Sequence, residues 1–172
     1  MLVHDFNAQL EYSMESSEDV LFDFFYHRAF PNLINIQFVT DLKTQKLGVD
    51  KILTFSSGSQ VKIDEKKRRK NYDDILLELW SIYPKKQGWL YTSTSDYIVY
   101  AVMLTKKIYL LPTLLLKKAW NTNRTDWLRE YPRWIDALNN GYKTRSKAIP
   151  TNVLLTAIAH EMEHSVIFSN GV

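Results

Sequence analysis

The residues whose types and spacing suit chemistry are Asp50 and the triplet Asp64-Glu65-Lys66. Alternate side chains of a strand share a face, so a strand here points Asp64 and Lys66 one way and Val61, Ile63 and Glu65 the other. Asp50 begins a second candidate strand, and the turn Ser56-Ser57-Gly58-Ser59 joins the two into a hairpin. Both ends of that hairpin then lie together, which brings two carboxylates and one ammonium to one place. Such a group suits phosphodiester hydrolysis. Hard oxygen ligands hold Mg²⁺ or Mn²⁺ alongside waters and a substrate phosphate. The cation polarises the phosphate and helps make hydroxide, and a lysine steadies the charge that develops.

Five cations, Lys66-Lys67-Arg68-Arg69-Lys70, follow without a break. Lys67, Arg68, Arg69 and Lys70, expected beyond the strand end, form a candidate phosphate-contacting rim or, on the plainer reading, a solvated basic loop. Tyr72 beside them is placed to stack on a base or to pack on the sheet. Glu78 is a lone charge in the apolar run Leu76-Leu77-Glu78-Leu79-Trp80, either a further site acid or a solvent-facing residue.

A second constellation competes. His160-Glu161-Met162-Glu163-His164 matches H-E-x-x-H on an expected helix. His160 and His164 would share a helix face and bind Zn²⁺, with Glu161 activating water. The residue six past His164 is Asn170, little sequence remains before Val172, and a catalytic zinc needs a third protein ligand. A solvated helix face is therefore the favoured reading, ahead of a zinc metallopeptidase.

The elements that must carry these residues can be read along the chain. Ser16 and Ser17 before Glu18 and Asp19 open a helix that Pro31 closes. Strands are expected at Asn35 to Val39, Asp50 to Phe55, Gln60 to Lys66, Asp74 to Trp80, Asp96 to Met103 and Ile108 to Leu111. From Thr113 the pattern turns helical. Leu114 to Trp120 fall in one helix, and Trp127, Tyr131, Trp134 and Leu138 are spaced for a second. Pro132 and Gly141 act as breakers, and the seven-residue spacing of Trp120, Trp127 and Trp134 reads as a packing stripe. Pro150-Thr151-Asn152 opens a last helix from Val153 to about Phe168. This order implies an α/β protein with one mixed or mostly antiparallel central sheet flanked by helices. A single domain over residues 1–172 is expected, with its core at about 15–110 and a helical C-terminal part at about 111–172.

Composition agrees with an ordinary globular chain. Of 172 residues, 45% are hydrophobic and 24% charged, enough apolar surface to offset chain entropy. There is no cysteine, which excludes disulfides, zinc ribbons and thiol catalysis and suits a reducing, cytoplasmic setting. The polar, acidic N-terminus does not read as a secretory signal, and Tyr97 to Leu104 is too short to span a bilayer. No membrane association is expected. A net charge of +3 permits a polyanionic partner without demanding one.

The run Gly48-Val49-Asp50-Lys51-Ile52-Leu53, a hairpin turn and then Ile63-Asp64-Glu65-Lys66 resembles the metal-binding core of the PD-(D/E)XK nuclease superfamily. The similarity covers roughly residues 15 to 105, with Val49 standing where the superfamily's name has proline. It implies a restriction-endonuclease-like core and a Mg²⁺- or Mn²⁺-dependent nuclease acting on nucleic acid, DNA before RNA. In that reading Asp50 and Asp64 hold the metal, the backbone carbonyl of Glu65 adds a ligand, Glu18 supplies a helix acid and Lys66 is the catalytic lysine. The alternatives are the zinc metallopeptidase of His160, Glu161 and His164, and a non-catalytic nucleic-acid-binding protein on a nuclease fold.

Overall fold

The computed structural model describes residues 16–166. The chain is mixed α/β. A helix, α1 (Ser16–Ala29), leads into β1 (Leu33–Phe38), a single turn α2 (Leu42–Gln45), and the hairpin β2 (Lys51–Phe55) and β3 (Gln60–Arg68). Next come β4 (Asp74–Ile82), the short β5 (Lys86–Gln87), a single turn α3 (Trp89–Thr92), β6 (Tyr97–Val102) and β7 (Lys107–Pro112). A long helix α4 (Thr113–Glu130), a second hairpin β8 (Trp134–Asn139) and β9 (Tyr142–Pro150), and the helix α5 (Thr151–Val166) complete it.

The strands form two sheets where the sequence suggested one. The first is mixed, in the order β1-β2-β3-β6-β7. Its pairs are antiparallel except β3 with β6, which run parallel. The second is antiparallel, in the order β5-β4-β9-β8. The run Asp74 to Trp80, expected in the central sheet, therefore belongs to a different one. Its apolar residues explain the placement. Ile75, Leu77 and Leu79 share one core with Ile98, Tyr100 and Val102 of the first sheet and with Trp120 and Trp127 of α4 and Leu154 and Ile158 of α5. A separate cluster lies on the other face of the first sheet, where Phe22 and Tyr26 of α1 pack on Leu53, Ile63, Val99 and Ala101. Both faces of β6 are thus covered, one by each cluster, which is why it reads as a continuous apolar run.

The expected helix through Trp134 and Leu138 is instead β8, and α4 runs unbroken through Trp127. Trp120 and Trp127 do pack together, with ring centroids 6.1 Å apart, but Trp134 stands on a strand. Pro132 stops the helical ladder by removing a donor. Gly141, read above as a breaker, forms with Asn140 the two-residue loop of a hairpin that pairs Asn139 with Tyr142. Gly141 takes the positive φ that this loop needs (81°). The C-terminal part is accordingly a hairpin between two helices and not helical throughout. Among the described residues no helix is long and apolar enough to cross a membrane.

Candidate active site

The β2–β3 hairpin delivers the first group of residues. Its register pairs Lys51 with Ile63 and Thr54 with Gln60, so Asp50 stands opposite Asp64. Opposed residues share a sheet face. The backbone of Asp50 is held on both sides, its N–H donating to the Ile63 carbonyl at 2.8 Å and its carbonyl accepting from the Val39 N–H at 2.9 Å. The Asp50 carboxylate accepts from the backbone N–H of Glu65 at 2.7 Å, which ties it to the strand that carries the triplet. Lys66 donates to Asp64 Oδ1. Asp50, Asp64 and Lys66 are thus brought together.

Asp64 is the electrostatic centre of the group. Its side chain is fully buried, and its second oxygen, Oδ2, closes no well-formed hydrogen bond, although the nearby Ser93 hydroxyl acts to lower the carboxyl. Burial pushes the Asp64 carboxyl up to about 6; Lys66 opposes that rise and the neighbouring Asp50 charge adds to it. For Lys66, burial acts downward, but Asp64, Asp50 and Glu78 outweigh it and hold the ammonium above its ordinary value. Lys66 keeps 27% of its side chain exposed, so the cluster opens to solvent on its side.

Glu78 reaches this group from the second sheet. It exerts its charge on Lys66, and its Oε1 accepts from the Trp89 N–H at 3.3 Å. Burial raises its carboxyl, with Lys66 opposing. The Glu78 backbone is crowded too: a Cβ on Gly88 would lie 2.3 Å from its carbonyl oxygen. Glu78 is thus half-buried and within electrostatic reach of Lys66.

Several site residues carried no sequence signal. Gly48, at φ 71°, lets the chain pass so close that a Cβ there would lie 2.7 Å from Asp64 Oδ2 and 2.8 Å from Ser93 Oγ. Ser93, Ser95 and Thr113 form a buried hydroxyl chain, with oxygens 2.9 and 3.1 Å apart, anchored where Ser93 donates to the Gly48 carbonyl at 3.2 Å. Lys117 of α4 donates to the Ser93 carbonyl at 2.6 Å and the Tyr91 carbonyl at 3.2 Å. Burial lowers its ammonium while the Asp64 charge acts to raise it, so a second lysine lies within electrostatic reach of the carboxylates. These residues come together only through tertiary folding. A glycine two residues before Asp50 is the one local hint.

The remaining candidates are placed elsewhere. The Glu65 carboxylate is on the α1 face, 3.0 Å from Lys51 Nζ and accepting from the Tyr26 hydroxyl at 2.6 Å; its backbone carbonyl alone remains for the role the resemblance implies. The side chain of Glu18 lies outside the described residues. Of the basic run only Arg69 and Lys70 lie beyond the strand end: β3 continues to Arg68, with Lys67 paired to Ala101 and Arg68 to Val102. Strand alternation then splits the run between faces. Lys67 Nζ sits 5.1 Å from the Phe22 ring on the α1 side. Arg68 pairs with the Asp74 carboxylate and covers the Tyr72 ring at 4.5 Å. Arg69 and Lys70 follow the strand and are exposed.

His160 and Glu161 lie on α5, where Glu161 accepts from the Thr122 hydroxyl of α4 at 2.7 Å, so that carboxylate is turned toward the neighbouring helix. The His164 side chain and Phe168 lie outside the described residues. Among the described residues no group of three or more His, Asp or Glu stands close enough to hold an ion unaided. Asp50 and Asp64 would form a partial ligand set of the kind that Mg²⁺ completes with waters and phosphate. The buried Asp64 Oδ2, which closes no well-formed hydrogen bond and lies beside a second carboxylate, fits a hard cation. Comparison with protein-family models, with curated proteins and with solved structures finds no match to this chain.

Proposed function

We propose that this protein is a metal-dependent nuclease that hydrolyses phosphodiester bonds, DNA being the first substrate to test, on a restriction-endonuclease-like core. The observation that carries the reading is Asp64: a fully buried carboxylate with one oxygen on Lys66 and the other closing no well-formed hydrogen bond, opposite Asp50. An uncompensated buried carboxylate oxygen costs free energy, and a cation is what this donor set would best accept. Mg²⁺ or Mn²⁺, when bound, would polarise the phosphate and make water more acidic.

The chain's own residues divide the remaining work. Asp50 and Asp64 would hold the cation, and the N–H of Glu65 keeps Asp50 aimed at it. Lys66, partly exposed beside Asp64, would face the phosphate and stabilise the charge that builds there. Glu78 would keep Lys66 protonated and is itself a candidate to take or give a proton through water. The test is cleavage of plasmid and single-stranded substrates with Mg²⁺ or Mn²⁺. Asp64→Asn is expected to lose activity by about 10²-fold or more while remaining folded. Equal cutting by Asp64→Asn and wild type would remove the assignment.

A further inference from the structure

Far from the carboxylates in sequence, the second sheet carries a ladder of alternating cations and rings. Lys143 Nζ lies 4.9 Å from the centre of the Tyr83 ring, and the Arg145 guanidinium lies 4.1 Å from the same ring. Arg145 is also 5.1 Å from the Trp134 ring, and Lys147 Nζ is 4.3 Å from Trp134. Three cations and two rings thus follow one another across β9, β8 and the loop after β4. Strand alternation makes the row: Lys143, Arg145 and Lys147 are every second residue of β9, and Trp134 stands opposite Lys147. The Tyr83 N–H donates to the Lys143 carbonyl at 2.8 Å, which fixes the loop against the strand.

Both rings are open to solvent: Trp134 is 37% exposed and Tyr83 38%. They are also rigidly held. Asp136 accepts from Arg145 at 2.8 and 2.9 Å, which orients the guanidinium between the rings, and Asp136 is the one carboxylate bonded into the row among the described residues. Lys147 is buried beside Trp134 and donates to the Tyr131 carbonyl, so Lys143 and Arg145, both paired with Asp136, are the cations of the row that reach solvent, and two of them against one acid leave it net positive. Pre-set rings separated by a cation favour a ligand that alternates flat apolar groups with negative charge, since little side-chain entropy is lost on binding.

We infer that this ladder is a binding platform for single-stranded nucleic acid, with bases stacking on Trp134 and Tyr83 and the backbone phosphates drawn to Lys143 and Arg145. The inference deepens the nuclease reading, on which it rests for the choice of nucleic acid as the polyanion, and it names the substrate class. A duplex hides its base faces and offers only phosphates, whereas a single strand offers both.

The test measures binding of a fluorescent oligothymidylate and of a duplex of equal length to the full chain in EDTA, where no metal-dependent cutting occurs. The single strand is expected to bind at least about tenfold more tightly, and Trp134→Ala and Tyr83→Ala each to weaken it by about tenfold. Trp134→Phe and Tyr83→Phe, which keep a ring, should restore most of the affinity. Because an alanine variant can disturb the hairpin, photo-crosslinking of an iodouridine-containing strand to unaltered protein gives a separate reading, and adducts are expected at Trp134 or Tyr83. Equal affinity for duplex and single strand, ring variants that bind as well as wild type, competition by heparin indifferent to the rings, or adducts confined to other residues would each overturn the inference. Ring-dependent binding by a protein that cuts nothing with Mg²⁺ would sink the nuclease reading and leave the platform standing.

Discussion

If Asp64 is a metal ligand, proton and cation must compete for it, and the size of that competition follows from its setting. Burial holds the carboxyl at about 6 against an ordinary 3.8, so the folded, metal-free protein binds this proton more tightly than the unfolded chain does. The sign is therefore the reverse of a salt-bridged surface carboxylate. The contribution of this group to stability is fully present below about pH 4 and is lost as pH rises through about 6. Returning the carboxyl to its ordinary value corresponds to about 3 kcal/mol, at about 1.4 kcal/mol per tenfold. A bound cation supplies that return. The expected consequence is an apparent Mn²⁺ affinity that is level above about pH 7 and falls toward tenfold per pH unit below about 6, as one proton must leave for each cation bound. Titration calorimetry from about pH 5 to about pH 8 reads it directly. Thermal unfolding gives a second reading, since the gain in Tm on adding metal should grow over the same range. An affinity that stays within about twofold across that range would refute the assignment of Asp64 as a ligand, because no proton would then be displaced.

Lys66→Met removes the counter-charge on Asp64 Oδ1. Single-turnover cleavage should fall by about 10²-fold or more and its pH profile should move to higher pH, with oligonucleotide affinity in EDTA nearly unchanged. Gly48→Ala combines a strained positive φ with a Cβ driven against Asp64 Oδ2; urea unfolding should show a loss of about 1–3 kcal/mol together with weaker metal binding. Gly58→Ala, at φ 82° but with nothing within 4 Å, isolates the backbone part of that loss and should leave metal binding intact. Lys51→Met strands the Glu65 charge on the α1 side and should cost about 3 kcal/mol, much of which the double variant Lys51→Met/Glu65→Gln should recover, measured by the same urea unfolding.

The parts of the site that lie within one hairpin were legible from the residues. Period-two alternation put Asp64 and Lys66 on one face and Glu65 on the other, and the turn near Gly58 set the register that brings Asp50 opposite Asp64. Both are local properties of the chain. What was not legible depended on tertiary choices. Trp127, Tyr131, Trp134 and Leu138 are spaced as on a helix, yet Pro132 and the Asn140-Gly141 loop turn the second half of that run into β8. Period alone could not arbitrate; the Asn-Gly pair was the available signal. Lys51 and Lys147 each have 1% exposure, a placement that lysine's composition argues against, and each is explained only by the rings and acceptors that surround it. Glu78 read as an open question because its partner, Lys66, belongs to the other sheet. The five-cation run misled for a related reason: β3 extends through Arg68, so alternation distributes charges that look contiguous in sequence.

The two faces of β3 explain how a buried ionised cluster is held in place. On one face Asp64 and Lys66 pair beside Asp50, with Glu78 closing from the second sheet. On the other, Glu65 is bound by Lys51 and Tyr26, and Lys51 is in turn enclosed by Phe38, Phe22 and Tyr26, with ring centres 4.4, 5.4 and 5.5 Å from its Nζ. Glu65 joins the two faces, because its side chain accepts from α1 while its own N–H donates to the Asp50 carboxylate. Lys51 follows Asp50 and Glu65 follows Asp64, so the clamp on the α1 face acts one residue from each carboxylate of the other. Two neighbouring carboxylates, Asp50 and Asp64, repel each other and need such support. By fixing the backbone from behind, the Lys51-Glu65-Tyr26 group lets the carboxylates stay close before any cation arrives, and that pre-set repulsion is what a cation would relieve on binding.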